Sequence, residues 1–454
     1  MSFCDTSGPR SGYAGSKPMK AYLAASLLVI FSVGAAASQE GVPPVLSAGP
    51  LQLTVLHAAR MLDISAGRTV SPGEVLVEGT RIREVGRQVN HPVGARVIDL
   101  GDTTLMPGLI DAHVHLFLHV GNEANQTVDE SVPERVLIAA GAAKADLLAG
   151  FTAERDMGTE GAGCADVAVR NAINKGMIPG PRMRVSCNAI DLNGGHEDNG
   201  GRNPDEHLLS NADRADTADD IVRVMREQRK QGADFTKIYE TGKRDSRDSP
   251  ELLTAMPYQY TEAELARAVA EAARVGSRVA VHATDEPGTG FAVNAGVASV
   301  DHAYQMAPAT MQRMKERGIP AVPTFAISEY FADRAGSPAS AARQHEAQAR
   351  HAEQFKIQMA AGVPFAVGSD VGPFPHGTQA SELVLMAKYG MPNADVLRAC
   401  LLNGARLLGW EKEIGQLKAG FLADIIAVPG DPVQDISVTE HVSFVMKNGQ
   451  VVRP

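Results

Sequence analysis

Cysteine is scarce in this chain of 454 residues, which contains four. Cys4 falls in a leader-like segment, and Cys164, Cys187 and Cys400 cannot all pair within one chain. The sequence therefore argues against a disulfide framework and for buried free thiols. Blocks of basic residues are also missing, and the formal net charge is -10. That balance argues against nucleic acid and against an anionic membrane as partners. Long apolar runs are absent too: residues 21–34 form the one leader-like stretch, shorter than the roughly 20 residues that a spanning helix requires. Lys17 and Lys20 precede this run and Ala35-Ala36-Ala37 follows it, a signal-peptide pattern with cleavage after Ala37. Residues 1–37 thus read as a signal peptide, and the mature chain as secreted or periplasmic. Met19-Lys20 would itself make an ordinary signal-peptide start, in which case residues 1–18 are an upstream extension. No internal repeats or long low-complexity tracts appear.

What is present is a large apolar fraction, 44%, together with 44 glycines, enough to bury a sizeable core in one barrel and a smaller domain. Residues 51–100 carry short alternating runs such as Glu74-Val75-Leu76-Val77-Glu78 and Arg81-Ile82-Arg83-Glu84-Val85, broken by glycines, which is hairpin material. The same character returns at residues 423–428 and 442–447. The two ends, 51–104 and 418–454, are expected to build one composite β-sandwich. Between them, over 105–417, strand-like runs alternate with helical patterns such as 262–275 and 341–361, the signature of a parallel α/β barrel. Barrel strands are expected near 105–109, 151–155, 183–187, 235–239, 278–281, 298–300, 320–323 and 364–367. That is the (β/α)8 number.

The segment Pro107-Gly108-Leu109-Ile110-Asp111-Ala112-His113-Val114-His115 ends an apolar run with imidazoles at i and i+2. On a strand this period points both rings to one side, where two neutral imidazoles can grip a single cation. Two histidines on a half-exposed strand is the plainer reading. Four further candidates stand at the ends of later strand-like runs: Lys237, His282, His302 and Asp370. Each taken alone has an ordinary explanation, as a solvated lysine or a hydrogen-bonded histidine. Together, all at strand C-termini where barrels carry their chemistry, they form a constellation that chance rarely supplies.

In this set and order the sequence resembles the amidohydrolase superfamily, in its branch with two metals and a carboxylated lysine. The resemblance runs from about Val55 to the C-terminus. Arg155-Asp156-Met157-Gly158, with Arg170, Ile173 and Ile178-Pro179-Gly180-Pro181-Arg182, is similar to the branch holding prolidase-like dipeptidases, N-acyl amino acid hydrolases and ochratoxin-hydrolysing amidohydrolases. The resemblance implies His113, His115, Lys237, His282, His302 and Asp370 as metal ligands, a carboxylated Lys237 as bridge, and a homo-oligomer, up to an octamer.

Two divalent cations roughly 3.5–4 Å apart can share one water, lower its pKa toward about 7 and polarise the carbonyl under attack. His113, His115 and Asp370 would hold the first and His282 and His302 the second, with zinc suiting such ligands. Asp370 is the expected general base, passing its proton to the leaving amine. Tyr239 shares a strand face with Lys237 and could donate to the oxyanion, while a core tyrosine is the alternative. His196, in Gly194-Gly195-His196-Glu197, sits in a loop that could close on the substrate, or be a solvated loop histidine. Arg202, Phe374 and His376 are further pocket candidates. The expected substrate is a small-molecule amide with a C-terminal amino acid: an N-acyl amino acid, a dipeptide or an ochratoxin-like arylamide. A cyclic-amide or lactone hydrolase and a non-catalytic metal-binding scaffold are the alternatives.

Overall fold

The computed structural model describes residues 52–198, 205, 209–242 and 258–454. The expected signal peptide and Arg202 lie outside them. No helix among the described residues is long and apolar enough to cross a membrane.

Two antiparallel-rich sheets form the sandwich, and both ends of the chain contribute to it. One sheet runs in the order Arg81–Gly86, Gly73–Glu78, Leu53–Ala58, Arg96–Asp99. The other runs Gln450–Arg453, Phe444–Lys447, Ile425–Pro429, Thr103–Pro107, Arg60–Asp63, Arg68–Val70. Leu56, Val75, Ile82, Leu105, Ile425 and Phe444 close its apolar interior. Both faces of these sheets are covered: the neighbouring Val55 and Leu76 pack with Val89, and Met106, Ile426 and Val445 join the main core.

The strand expected at 105–109 is corrected here. Thr103–Pro107 pairs with Ile425–Pro429 in the sandwich, and the first barrel strand is Leu109–Val114. The turn between them is Gly108, where an added Cβ would lie 2.1 Å from Thr152 Oγ1. Only glycine lets the chain pass that close from one sheet into the other. An apolar run continuous across this point hid the break.

From Leu109–Val114 the barrel proceeds through Phe151–Asp156, Arg182–Val185, Thr236–Tyr239, Val279–Ala283, Ser299–His302 and Ala321–Val322. These strands pair in parallel, and the buried sequence Val279-Ala280-Val281-His282-Ala283 shows the near-continuous apolar character of strands covered on both faces. The third strand is interrupted at Cys187, which takes a left-handed φ of 68°, and resumes as Ile190–Asp191 beside the fourth. The eighth segment closes the ring. Phe365 bridges Ala321, Val371 bridges Val114, and the Asp370 amide donates to the His113 carbonyl at 2.8 Å. Inside, the Arg155 guanidinium donates to Asp301, Ser299 and the Ala112 carbonyl, so each nitrogen of this buried cation has an acceptor.

Helices wrap the barrel with local signals that agree with their fold. Glu262–Arg274 starts in a capping box between Thr261 and Glu264. Pro338–Ala361 starts at a Ser337 cap and ends at Gly362.

The expectation of free thiols is also corrected: Cys164 and Cys187 form a disulfide, leaving Cys400 as the buried thiol. Counting cysteines could not show this, because three can hold one bridge. The bond ties the start of helix Ala165–Asn174 to the interruption in the third barrel strand. Closing a loop of 23 residues' separation stabilises by about 3 kcal/mol in the chain-entropy account. Cys164→Ser/Cys187→Ser should therefore melt well below the wild type in a calorimetric scan. An unchanged melting temperature would count against this contribution.

Candidate metal centre and active site

The expected ligands converge at the C-terminal mouth of the barrel. His113, His302 and Asp370 offer ligand atoms that all lie within 4.8 Å of one another. His115 joins them, with Nε2 3.3 Å from His113 Nε2 and 3.3 Å from Asp370 Oδ1. His113 Nε2 stands 3.4 Å from the same carboxylate oxygen. The His282 ring lies 4.3 Å from His302, and His196 lies 4.2 Å from His282. Tyr239 stacks on His196 at 4.6 Å with 9° between planes. Lys237 Nζ is 5.2 Å from the Tyr239 ring and has no hydrogen-bond partner among the described residues, although the residue is fully buried.

Backbone geometry aims two of these side chains. Asp301 points into the barrel to meet Arg155, so a strict period of two would turn the next residue outward. His302 instead adopts φ 75° and rejoins the site, and Asp370 adopts φ 61°. Left-handed residues other than glycine cost about 1–3 kcal/mol and gather at functional sites, where the surrounding structure holds them. Thr324, itself at φ 55°, places its hydroxyl 2.7 Å from His302 Nδ1.

The electrostatics suit a donor set. Burial pushes His113 and His282 well below the ordinary imidazole range, and His302 to about 4, which favours the ring form that offers a lone pair, whereas at His115 burial is outweighed by the Asp370 and Glu160 carboxylates, which raise the ring. Burial would raise Asp370, but His113, His115 and His302 outweigh it and hold the carboxyl below its usual range. Burial likewise lowers the Lys237 ammonium despite Asp301 and Asp370 nearby. For Tyr239, burial and then the Glu160 and Glu197 carboxylates push the phenol well up, keeping its proton. The orphaned Lys237 Nζ and His282 Nε2, among converging imidazole nitrogens and a carboxylate, fit divalent cations.

His196 differs from the loosely held loop residue expected. Its Nδ1 lies 3.2 Å from the Thr241 carbonyl and its amide donates to Gln259 Oε1 at 2.7 Å. Phe374 is buried in the main core rather than presented on an open loop, and His376 is engaged at 2.8 Å by the buried Asp146. Sequence reasoning missed Asp301, 3.5 Å from His113 Nδ1, and Glu160, which reaches both His115 and Tyr239. Asp301 adjoins His302 at a strand end, and Glu160 follows the second strand in a glycine-rich loop. Position at a strand's C-terminal end was the available signal for both.

A closed parallel barrel with this group at its mouth defines a barrel enzyme with a candidate metal centre. The amidohydrolase family model matches residues 104–452, so the chain belongs to that family and is a hydrolytic enzyme acting on amide bonds. It is a prolidase- and ochratoxinase-like member. Ochratoxinase of Aspergillus niger is 29% identical over 439 residues, covering 90% of this chain and 88% of that protein. The crystal structure of A. niger ochratoxinase has TM-score 0.77 and 25% identity, covering 89% of this chain and 96% of that one. A Xaa-Pro dipeptidase solved with methionine bound in its active site has TM-score 0.80 and 29% identity, covering 89% of this chain and 100% of that one.

Proposed function

We propose that the protein is a binuclear metal-dependent hydrolase that cleaves the amide joining an acyl group to a C-terminal amino acid, in N-acyl amino acids, dipeptides or ochratoxin-like amides. The observation that carries this reading is Lys237, a buried amine that stands with four histidines and an aspartate and has no hydrogen-bond partner among the described residues. Burial lowers the ammonium even with Asp301 and Asp370 nearby, which makes the free amine easier to reach. That amine can add to carbon dioxide: an N–C bond forms, the nitrogen loses a proton, and a carbamate anion with two oxygens results. The carbamate would join His113, His115 and Asp370 around one cation to His282 and His302 around another, with zinc suiting the donors. Two cations held there would acidify a shared water and polarise the scissile carbonyl.

The chain's own groups do the remaining work. Asp370, held ionised by its histidine neighbours, takes the proton of the attacking water and delivers it to the leaving amine. Tyr239, kept protonated by burial, donates to the developing oxyanion. His196, stacked against that phenol, meets the carbonyl or carboxylate of the substrate. Release of a C-terminal amino acid is supported by the likeness to the dipeptidase with methionine in its active site. Action outside the cytoplasm is part of the same reading, supported by the Cys164–Cys187 disulfide. So is a homo-oligomer, up to an octamer, which light scattering would test.

Purified active protein is expected to carry about two divalent ions per chain, and chelation to abolish hydrolysis. Elemental analysis beside a panel of N-acyl amino acids varied at the C-terminal residue tests both parts. One ion with full activity would overturn the binuclear reading. Turnover confined to cyclic amides or lactones would overturn the substrate class.

A further inference from the structure

The loop between the second barrel strand and helix Ala165–Asn174 delivers one carboxylate to the site. Glu160 is 3% exposed and adopts φ 48°. Its Oε1 lies 3.2 Å from His115 Nδ1 and accepts from the Tyr239 hydroxyl at 3.3 Å. His115 Nδ1 also faces the Gly158 carbonyl at 3.0 Å. Both neighbours of that nitrogen are acceptors, so Nδ1 carries a proton, and Nε2, which faces Asp370 Oδ1 and His113 Nε2 at 3.3 Å each, is the nitrogen left to bind a metal.

This backbone is held with unusual completeness. The buried Arg135 guanidinium donates to the carbonyls of Phe117, Thr159 and Glu160, tying the loops after the first and second strands together. Thr127 Oγ1 donates to the Glu160 carbonyl at 2.9 Å. Asn188 Oδ1 accepts from Thr159 Oγ1 and from the amides of Gly161 and Gly163. The Cys164–Cys187 disulfide then fastens the end of the loop beside Asn188. At Gly158 an added Cβ would stand 3.0 Å from Glu160 Oε1, so glycine leaves the carboxylate its room. A strained, non-glycine residue held by this many partners points to a side chain whose position matters.

We propose that Glu160 is a positioning residue that fixes the metal-binding tautomer of His115 and, with the same oxygen, sets the Tyr239 phenol relative to it. The inference rests on the metallohydrolase reading above. A carboxylate behind a ligating imidazole raises its basicity, and removing such a partner typically costs 10–100-fold in metal affinity or activity. The bond from Tyr239 is long for an O–H donor, so the hydroxyl can turn its hydrogen bond to an oxyanion that develops nearby while keeping its proton.

The test uses the full chain loaded with cobalt(II), comparing wild type, Glu160→Gln and Tyr239→Phe by chelator competition, visible spectrum, kcat and KM. Glu160→Gln should bind cobalt at least about 10-fold more weakly and shift its spectrum, with kcat falling 10–100-fold and KM changing less. Tyr239→Phe should lose turnover while keeping the wild-type cobalt affinity and spectrum. Wild-type affinity and spectrum in Glu160→Gln overturn the inference, as does a variant altered only in melting temperature. If Glu160→Gln does not fold, Glu160→Asp, which shortens the reach by one methylene, should show the weakened affinity, and unchanged affinity there overturns the inference. A wild type that holds no cobalt overturns the metallohydrolase reading and this inference together. Tight wild-type binding with an insensitive Glu160→Gln overturns the inference alone.

Discussion

Asp370→Asn is expected to lower turnover of an N-acyl aromatic amino acid by at least about 10²-fold, within the 10²–10⁴-fold range of general acid–base catalysis. Asparagine is nearly isosteric and keeps one oxygen for the two imidazoles that stand 3.3 and 3.4 Å from the carboxylate. It cannot accept the water's proton at neutral pH. The backbone is not a confounding factor. Position 370 has φ 61°, and asparagine is among the residues that adopt that conformation most readily. The Asp370 amide bond to the His113 carbonyl, which helps close the barrel, does not involve the side chain. Melting temperature and metal content should stay near wild type while turnover collapses. Wild-type turnover in a variant with unchanged metal and melting would remove Asp370 from the base role.

Lys237→Ala is the second large effect. Without the carbamate bridge at least one metal site should empty, and the loss of metal catalysis, worth several kcal/mol, should lower turnover by at least about 10²-fold. Stability should change less than for an ordinary buried truncation. The cavity left behind costs free energy, but the substitution also removes a buried amine that has no hydrogen-bond partner among the described residues. The vacated space lies beside the Tyr239 ring and opens toward the ligands, so a short carboxylic acid in the buffer should enter it and restore part of the activity. Titrating acetate against turnover and metal content measures this directly. Full activity in Lys237→Ala without any added acid would show the lysine to be a bystander.

Much of the fold was legible because it is written in local patterns. Apolar runs with a period of two, capping signals such as Thr261 with Glu264, and the alternation of strand and helix need no distant partner to be recognised. The one misplaced barrel strand shows the limit. Residues 105–110 read as one run without a charged residue, and only the pairing of Thr103–Pro107 with Ile425–Pro429 reveals a change of sheet at Gly108. Disulfide pairing was out of reach for the same reason, since Cys164 and Cys187 meet through the kinked third strand and not through any spacing in sequence.

The amino-acid sequence by itself determined the donor types and their order: His113 and His115 on one strand face, then Lys237, His282, His302 and Asp370 at successive strand ends. Side-chain chemistry and strand periodicity are properties of short segments, and so they survive in the sequence. Only the tertiary structure decided that His302 and Asp370 turn into the site through left-handed backbone, that burial pushes the His113 and His282 imidazoles down, and that Lys237 Nζ has no hydrogen-bond partner among the described residues. It also decided that Glu160, from the glycine-rich loop after the second barrel strand, stands between His115 and Tyr239. Direction, desolvation and partnership depend on which distant segments pack together, and the closing of the barrel is what brings those segments within reach of one another.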